Sequence, residues 1–130
     1  MSIGWAAVVL VGVGGAAGGM ARLAASRILA RWLGTGFPWG TLAVNLSGAL
    51  LAGWIAGRLG VPQSLDLSPA WLGLIIGVLG GYTTVSSLSL QTLALWQSGR
   101  TPAALINIGT TCLAGLALAW LGWWLAGGAP

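Results

Sequence analysis

Four stretches of this sequence are long and apolar enough to cross a lipid bilayer as helices, which constrains the fold more than any other feature. A spanning helix needs about 20 mostly apolar residues. The stretches cover residues 3–25, 39–59, 69–96 and 102–126. Because the separators are short, neighbouring helices are expected to be antiparallel. The sequence therefore predicts an all-α integral membrane protein with a single four-helix domain over residues 1–130.

The charge content supports this prediction and excludes most enzyme chemistry. The chain is 57% hydrophobic and 5% charged, with five arginines, one aspartate and no histidine, whereas a soluble domain normally has about a quarter of its residues charged. One carboxylate and one cysteine cannot form an acid–base pair, a catalytic triad or a metal cluster. Cys112 is expected to be a small buried residue. The arginines form no basic run, so nucleic-acid binding is not predicted.

Small residues repeat at four-residue spacing and predict close helix contacts, because glycine lets helix backbones approach each other in lipid. Most tryptophans fall near the ends of the apolar stretches, which is typical of anchors at the membrane surface. The spaced small residues are Gly14/Gly18, Gly15/Gly19, Gly53/Gly57, Gly73/Gly77/Gly81 and Thr111/Gly115.

The middle of the third stretch is unusually polar. Residues 80–89 read GGYTTVSSLS and place six hydroxyl groups and two glycines at this depth. Such a segment predicts a break in the helix, since irregular backbone is tolerated there when it is buried in protein or lines a cavity. A break frees carbonyl groups that can bind a cation. The alternative is a regular helix whose hydroxyls bond back to preceding carbonyls.

Other polar residues inside the stretches are functional candidates, because an intramembrane polar group is costly without a partner or an aqueous path. Thr41 and Asn45 share one face of the second helix, and Asn107 and Thr111 share one stripe of the fourth. Arg22 lies near the end of the first. Hydroxyl and amide donors between apolar walls suit a small, strongly hydrated ion, while interhelical hydrogen bonding is the competing interpretation.

Three motifs in order resemble the Fluc (CrcB) family of fluoride channels. They are the glycine run that ends in Arg22, the string Gly-Thr-Leu-x-Val-Asn that ends in Asn45, and Gly-Gly-Tyr-Thr-Thr over residues 80–84. The four-helix plan and the length are similar too, so the resemblance covers the whole chain.

The resemblance implies a dimer of oppositely inserted subunits, with two fluoride pores along their interface and a structural sodium ion at its centre. It implies a bacterial or archaeal inner-membrane location. Asn45 would line the pore, Arg22 would lie in the vestibule, and the backbone carbonyls of Gly80 and Thr83 would hold the sodium. Further residues expected on the anion path are Thr41, Val85, Ser86, Ser87, Leu88, Asn107 and Thr111.

Three of these positions depart from the family pattern. Val85 and Leu88 stand where the family typically has phenylalanines, and Asn107 replaces a common tyrosine. Valine and leucine lack the positive ring edge that a phenylalanine presents to an anion. The departures leave open an altered anion selectivity or a subunit that conducts only with a partner.

The arginines are unevenly placed. Arg27, Arg31 and Arg100 fall on one side of the membrane, and Arg58 on the other side is offset by Asp66. Because orientation follows the excess of arginine and lysine, this bias predicts a cytoplasmic location for the first and third separators. It leaves open a heterodimer with an oppositely oriented paralogue beside the homodimer. A proton-coupled small multidrug exporter and a non-conducting assembly subunit are the alternative classes.

Overall fold

The computed structural model describes residues 4–128, and every regular element within them is helical. Ile3, the expected start of the first span, lies outside the described residues. Four segments are long and apolar enough to cross a membrane, which confirms the all-α membrane prediction. The elements are α1 (Trp5–Leu33), α2 (Trp39–Leu59), a π-helix (Trp71–Leu79), α3 (Gly80–Tyr82), α4 (Val85–Gln97) and α5 (Thr101–Leu125).

The first helix is longer than expected. It continues to Leu33, so Arg27 and Arg31 lie on α1 and not in a separator. Residues 26–33 contain neither glycine nor proline, so nothing stops the helix before Gly34. Gly34 has a φ of 81°, which glycine adopts at little cost, and its N–H makes the last hydrogen bond of the helix, to the Ala30 carbonyl.

The α1 helix packs backbone to backbone on the π-helix. A Cβ atom at Gly14 would lie 2.7 Å from the Gly73 carbonyl oxygen, and one at Gly18 would overlap the carbonyl of Val78. These contacts confirm the close helix packing that the glycine spacing predicts at Gly14 and Gly18. A Cβ at Gly19 or Gly115 would meet no atom within 4 Å, so these two positions make no tight contact within the subunit.

The α2 helix packs most extensively on α5, and α4 packs on α5 while only touching α2. A Cβ at Gly53 would overlap Ala119, and one at Gly122 would overlap Leu50. The close approach of α5 to α2 therefore depends on Gly122 and not on the expected Gly115. Cys112 lies exposed on α5, contrary to the expectation of burial, because α5 presents that face outward.

The order of the helices places two loops at one end of the molecule and one loop at the other. Loop 34–38 and loop 98–100 share one end, where Arg100 donates a hydrogen bond to the Gly36 carbonyl. Loop 60–70, with Asp66, lies at the opposite end. There the indole N–H of Trp71 donates to the Gly60 carbonyl at 3.0 Å. A hydrogen bond thus joins the two loops at one end, and another connects the two sides of the loop at the opposite end.

Candidate functional site

The third membrane segment, Trp71–Gln97, is broken in its middle at Thr83 and Thr84. Both residues have extended backbone, with φ/ψ of −81°/156° and −151°/122°. The first half therefore ends with α3, and α4 starts a new helix. The predicted break is confirmed, although two hydroxyls of the segment do bond back to preceding carbonyls, from Thr83 to Leu79 and from Thr92 to Leu88.

Asn45 of α2 holds the break by a pair of hydrogen bonds to one residue. Its Nδ2 donates to the Thr84 carbonyl at 2.9 Å, and its Oδ1 accepts the Thr84 N–H at 2.8 Å. Because the side chain meets one backbone donor and one backbone acceptor, both amide groups have defined partners. Asn45 thus replaces, for the Thr84 N–H, the acceptor that a continuous helix would supply, and adds a donor to the carbonyl of this N-cap residue.

Two further contacts join α2 to the residues beside the break. The hydroxyls of Ser47 and Tyr82 lie 2.9 Å apart. A Cβ at Gly48 would overlap the methyl group of Thr83, so this glycine makes room for the extended residue. Three positions of α2 within one turn therefore shape the break.

The new helix begins with a side-chain cap. The Thr84 hydroxyl accepts the Ser87 N–H at 3.1 Å, which is an N-cap interaction. It also lies 3.1 Å from the Ser86 hydroxyl. Thr84 is buried, Ser87 is half-buried and Ser86 is exposed. The hydroxyl row thus runs from the interior of the subunit to its surface.

The two predicted sodium carbonyls have both lost their helical donors. In a continuous helix Gly80 O would accept from Thr84 N–H and Thr83 O from Ser87 N–H. Those donors bond instead to Asn45 and to the Thr84 hydroxyl. The carbonyl oxygens of Gly80 and Thr83 therefore do not receive these two N–H donors, and both are hard oxygen atoms of the kind that bind sodium.

The two positions that depart from the family motif face different directions. Val85 is 77% exposed on the subunit surface, whereas Leu88 is buried at 9%. A path along the subunit surface would therefore pass Val85. The place of Leu88 on an anion path stays a prediction, and the structure places this side chain inside the subunit.

Asn107 is fully buried between α5 and α4. Its Nδ2 donates to the Thr92 hydroxyl at 3.0 Å, and its own carbonyl accepts the Thr111 hydroxyl at 2.7 Å. Asn107 Oδ1 is buried and has no hydrogen-bond partner within residues 4–128. Asn107 therefore ties α4 to α5 within one subunit, and its role on an anion path stays a prediction.

A cleft of about 500 Å³ opens at the end of the molecule that carries loops 34–38 and 98–100, and its floor includes buried Thr41. Thr41 lies one turn from Asn45, so the cleft approaches the break from this end. Arg22 is half-exposed on α1 and does not line the cleft, but Ser26, one turn further along, does.

Sequence reasoning missed Thr92 and Gln91. The sequence does not distinguish a threonine that bonds to another helix from one that bonds back to its own helix. Thr92 makes both bonds: its hydroxyl donates to the Leu88 carbonyl and accepts from Asn107 Nδ2. Gln91 lines the cleft, and its buried Oε1 has no partner. Only the approach of α5 and α2 to α4 gives these residues their roles.

Comparison with known proteins identifies close relatives. Residues 9–123 match the family described as CrcB-like protein, Camphor Resistance (CrcB). The chain is 44% identical over 119 residues to the fluoride-specific ion channel FluC of Thermus thermophilus, covering 92% of this chain and 94% of that one. It is 43% identical over 118 residues to fluoride-specific ion channel FluC 2 of Bradyrhizobium diazoefficiens, covering 88% and 86%. With FluC of Magnetococcus marinus it shares 41% identity over 126 residues, covering 94% of each.

Proposed function

This chain belongs to the CrcB family, and we propose that it forms a passive, fluoride-selective channel that exports fluoride from the cytoplasm. It is a multi-pass bacterial membrane protein of an ion-channel family, not an enzyme. The observation that carries the proposal is the row of hydroxyls that starts at the capped break, in a chain whose only acid, Asp66, lies in a loop.

The chemistry of this row suits fluoride. The ion is small and strongly hydrated, so a pore must replace its water with closely spaced hydrogen-bond donors. Thr84, Ser86 and Ser87 supply hydroxyls, and the start of α4 adds first-turn N–H groups with the positive end of the helix dipole. Carboxylates would repel the ion, and the helices contain none.

We propose that two oppositely oriented subunits form the channel, with a pore on each side of their interface. Ser86 and Ser89 are exposed near mid-membrane. Hydroxyls facing lipid at that depth would be costly, and a second subunit would cover them and enclose a polar path. Exposed Val85 would lie on that path as its apolar wall.

A structural sodium ion fits the break. Sodium binds hard oxygen ligands, and Gly80 and Thr83 offer carbonyls whose helical donors are engaged elsewhere. The described residues contain no cluster of three carboxylate, thiol or imidazole groups, so backbone oxygens are the ligands that suit a metal here. When bound, the ion would neutralise the carbonyl dipoles and stabilise the extended backbone.

The second candidate is a fixed-orientation subunit that pairs with an oppositely oriented paralogue. Arg27, Arg31 and Arg100 lie at one end of the molecule, and Arg58 and Asp66 lie at the other. A subunit that inserts both ways should have little arginine bias. This asymmetry favours a heterodimer, and Val85 and Leu88 allow for a changed anion selectivity.

Efflux from liposomes tests these proposals. Purified protein is reconstituted in vesicles loaded with potassium fluoride, and release is followed with a fluoride electrode, with chloride-loaded vesicles as the selectivity control. We expect fluoride release that exceeds chloride release. Fluoride flux only after addition of a second family member would replace the homodimer by the heterodimer, and chloride flux equal to fluoride flux would exclude fluoride selectivity.

The same vesicles separate the remaining classes. Proton movement driven by an organic cation would indicate a small multidrug exporter, although such antiport needs a membrane-embedded carboxylate and the helices have none. No flux alone or with any second subunit would indicate an assembly subunit and would exclude a channel.

A further inference from the structure

The cleft beside loops 34–38 and 98–100 has a lining suited to an anionic group. It measures about 500 Å³, within the range typical of ligand sites. Its rim is exposed and its floor, which includes Gly40, Thr41 and Leu95, is buried. The polar side chains that line it are Ser26, Arg27, Thr35, Thr41, Gln91, Ser98 and Arg100.

The cleft carries positive charge without any compensating acid. Arg27 and Arg100 both line it, and its lining contains no carboxylate. A guanidinium has five N–H donors, and the hydrogen bond from Arg100 to the Gly36 carbonyl uses one. Asp66, the only acid of the chain, lies in loop 60–70 at the opposite end. The cleft therefore retains donors and unneutralised charge for a ligand.

The cleft lies at the depth of the lipid headgroups. Trp32 at the end of α1 and Trp96 near the end of α4 are 82% and 59% exposed. At the same end Phe37 and Trp39 contact each other, with ring centroids 4.8 Å apart, and both line the cleft. Exposed tryptophans of this kind mark the boundary between membrane and water.

We propose that this cleft binds the phosphate headgroup of an anionic phospholipid, such as phosphatidylglycerol or cardiolipin. Arginine forks match phosphate geometry, and basic pockets between membrane helices on the cytoplasmic side bind such headgroups. In a subunit whose orientation follows the arginine bias, this end lies in the cytoplasm, where the anionic leaflet supplies the ligand. Ser26 and Ser98 add hydroxyls beside the two arginines.

The opposite end offers a matched control. Arg58 lies at the end of α2, where its guanidinium stacks 5.6 Å from the ring centroid of Trp54, and it does not line the cleft. Arg58→Gln removes the same charge as Arg27→Gln, at the other membrane surface. Arg27 is the primary test position because Arg100 also holds loop 34–38.

The experiment titrates dioleoylphosphatidylglycerol into the detergent-solubilised protein, with dioleoylphosphatidylcholine as the uncharged control. Native mass spectrometry measures the lipid retained by the protein, and thermal unfolding measures the midpoint temperature. We expect selective retention of phosphatidylglycerol and a raised midpoint. One arginine near an anionic surface contributes about 1 kcal/mol, which corresponds to about fivefold in affinity. Arg27→Gln and Arg100→Gln should each weaken retention by about that factor, and Arg58→Gln should not.

Three results would overturn the proposal. Equal retention in Arg27→Gln, Arg58→Gln and the parent protein would remove the lipid from the cleft. Displacement by excess inorganic phosphate would assign the cleft to a soluble anion. If Arg27→Gln lowers fluoride flux equally in phosphatidylcholine and phosphatidylglycerol vesicles, the cleft acts on ion entry and not on lipid. Because lipid retention is measured without flux, a failure of the channel proposal would leave this test intact.

Discussion

The two halves of the third membrane segment are held in place by different forces. The π-helix and α3 pack by backbone shape, because glycines of α1 and of the segment meet without side chains between them. The α4 helix is held by amide side chains, with Asn45 at its start and Asn107 along its length. Thr83 and Thr84, which form the break, join the two halves.

This difference separates a rigid frame from an adjustable element. Without a hydrophobic effect between helices in lipid, association depends on close packing and on interhelical hydrogen bonds. Where backbones are in direct contact there is no space for an added atom, so the contact sets the position of the first half of the segment against α1. The α4 helix is held to its neighbours by a few hydrogen bonds, and Ser86 and Ser89 lie exposed on its outer face. The polar path of the proposed channel lies on the hydrogen-bonded half.

The largest expected effect is on the backbone-packed half. A methyl group at Gly18 would overlap the Val78 carbonyl, so Gly18→Ala should destabilise the protein by about 3 kcal/mol, the upper part of the range for overpacking. Unfolding in mixed micelles measures this. The control is Gly19→Ala, where a Cβ meets no atom within 4 Å and stability should be unchanged or slightly raised. Equal losses in both variants would refute the shape-based account.

The next effect concerns the clamp on the break. Asn45→Leu leaves the Thr84 N–H without its acceptor and removes one donor from the Thr84 carbonyl, so we expect a loss of about 2 kcal/mol. Asn45→Asp keeps an acceptor for the N–H but places a negative charge by the proposed anion path, and fluoride efflux should be lost. Gln63→Glu, in an exposed loop, is the matched amide-to-acid control. Normal efflux from Asn45→Asp would remove Asn45 from the path.

A smaller effect is expected along α4. Thr92→Val leaves the buried Asn107 Nδ2 without its acceptor, beside an Oδ1 that already has no partner; the cost should be about 1 kcal/mol. The double variant Thr92→Val/Asn107→Leu should recover most of it, because both partners become apolar. A double-mutant cycle should give a coupling of about 0.6 kcal/mol, as for membrane proteins generally. Zero coupling would mean that this bond does not hold α4.

The smallest effect lies where the two halves meet. Ser47→Ala and Tyr82→Phe each remove one side of a single hydroxyl pair, and each should cost about 0.5 kcal/mol. Their effects should not add, since either change already breaks the bond. Additive losses in thermal unfolding would show that the two hydroxyls act separately and that this pair does not join α2 to the break.

Much of the fold was predictable because its signals are local. Apolar runs of spanning length, glycine spacing and the polar segment 80–89 indicated four helices and a broken third one. The α1 helix extends beyond the predicted span of residues 3–25, because its end depends on where the first helix-stopping glycine stands, at Gly34. Spacing alone does not say which of several small residues of α5 fills the place against α2 within the subunit, and Gly115 makes no tight contact there. Gly122 takes that place.

Three properties could be read from the amino-acid sequence: this chain resides in a membrane, its third helix is interrupted, and it carries no membrane-embedded acid. These properties follow from composition and order, because lipid forbids unpaired charge and unsatisfied backbone over a fixed thickness. Three others required the packed helices: Asn45 bonds to Thr84, Asn107 is buried against Thr92, and Arg27 and Arg100 share one cleft. Each of these joins residues distant in the chain, and their meeting depends on how the helices pack.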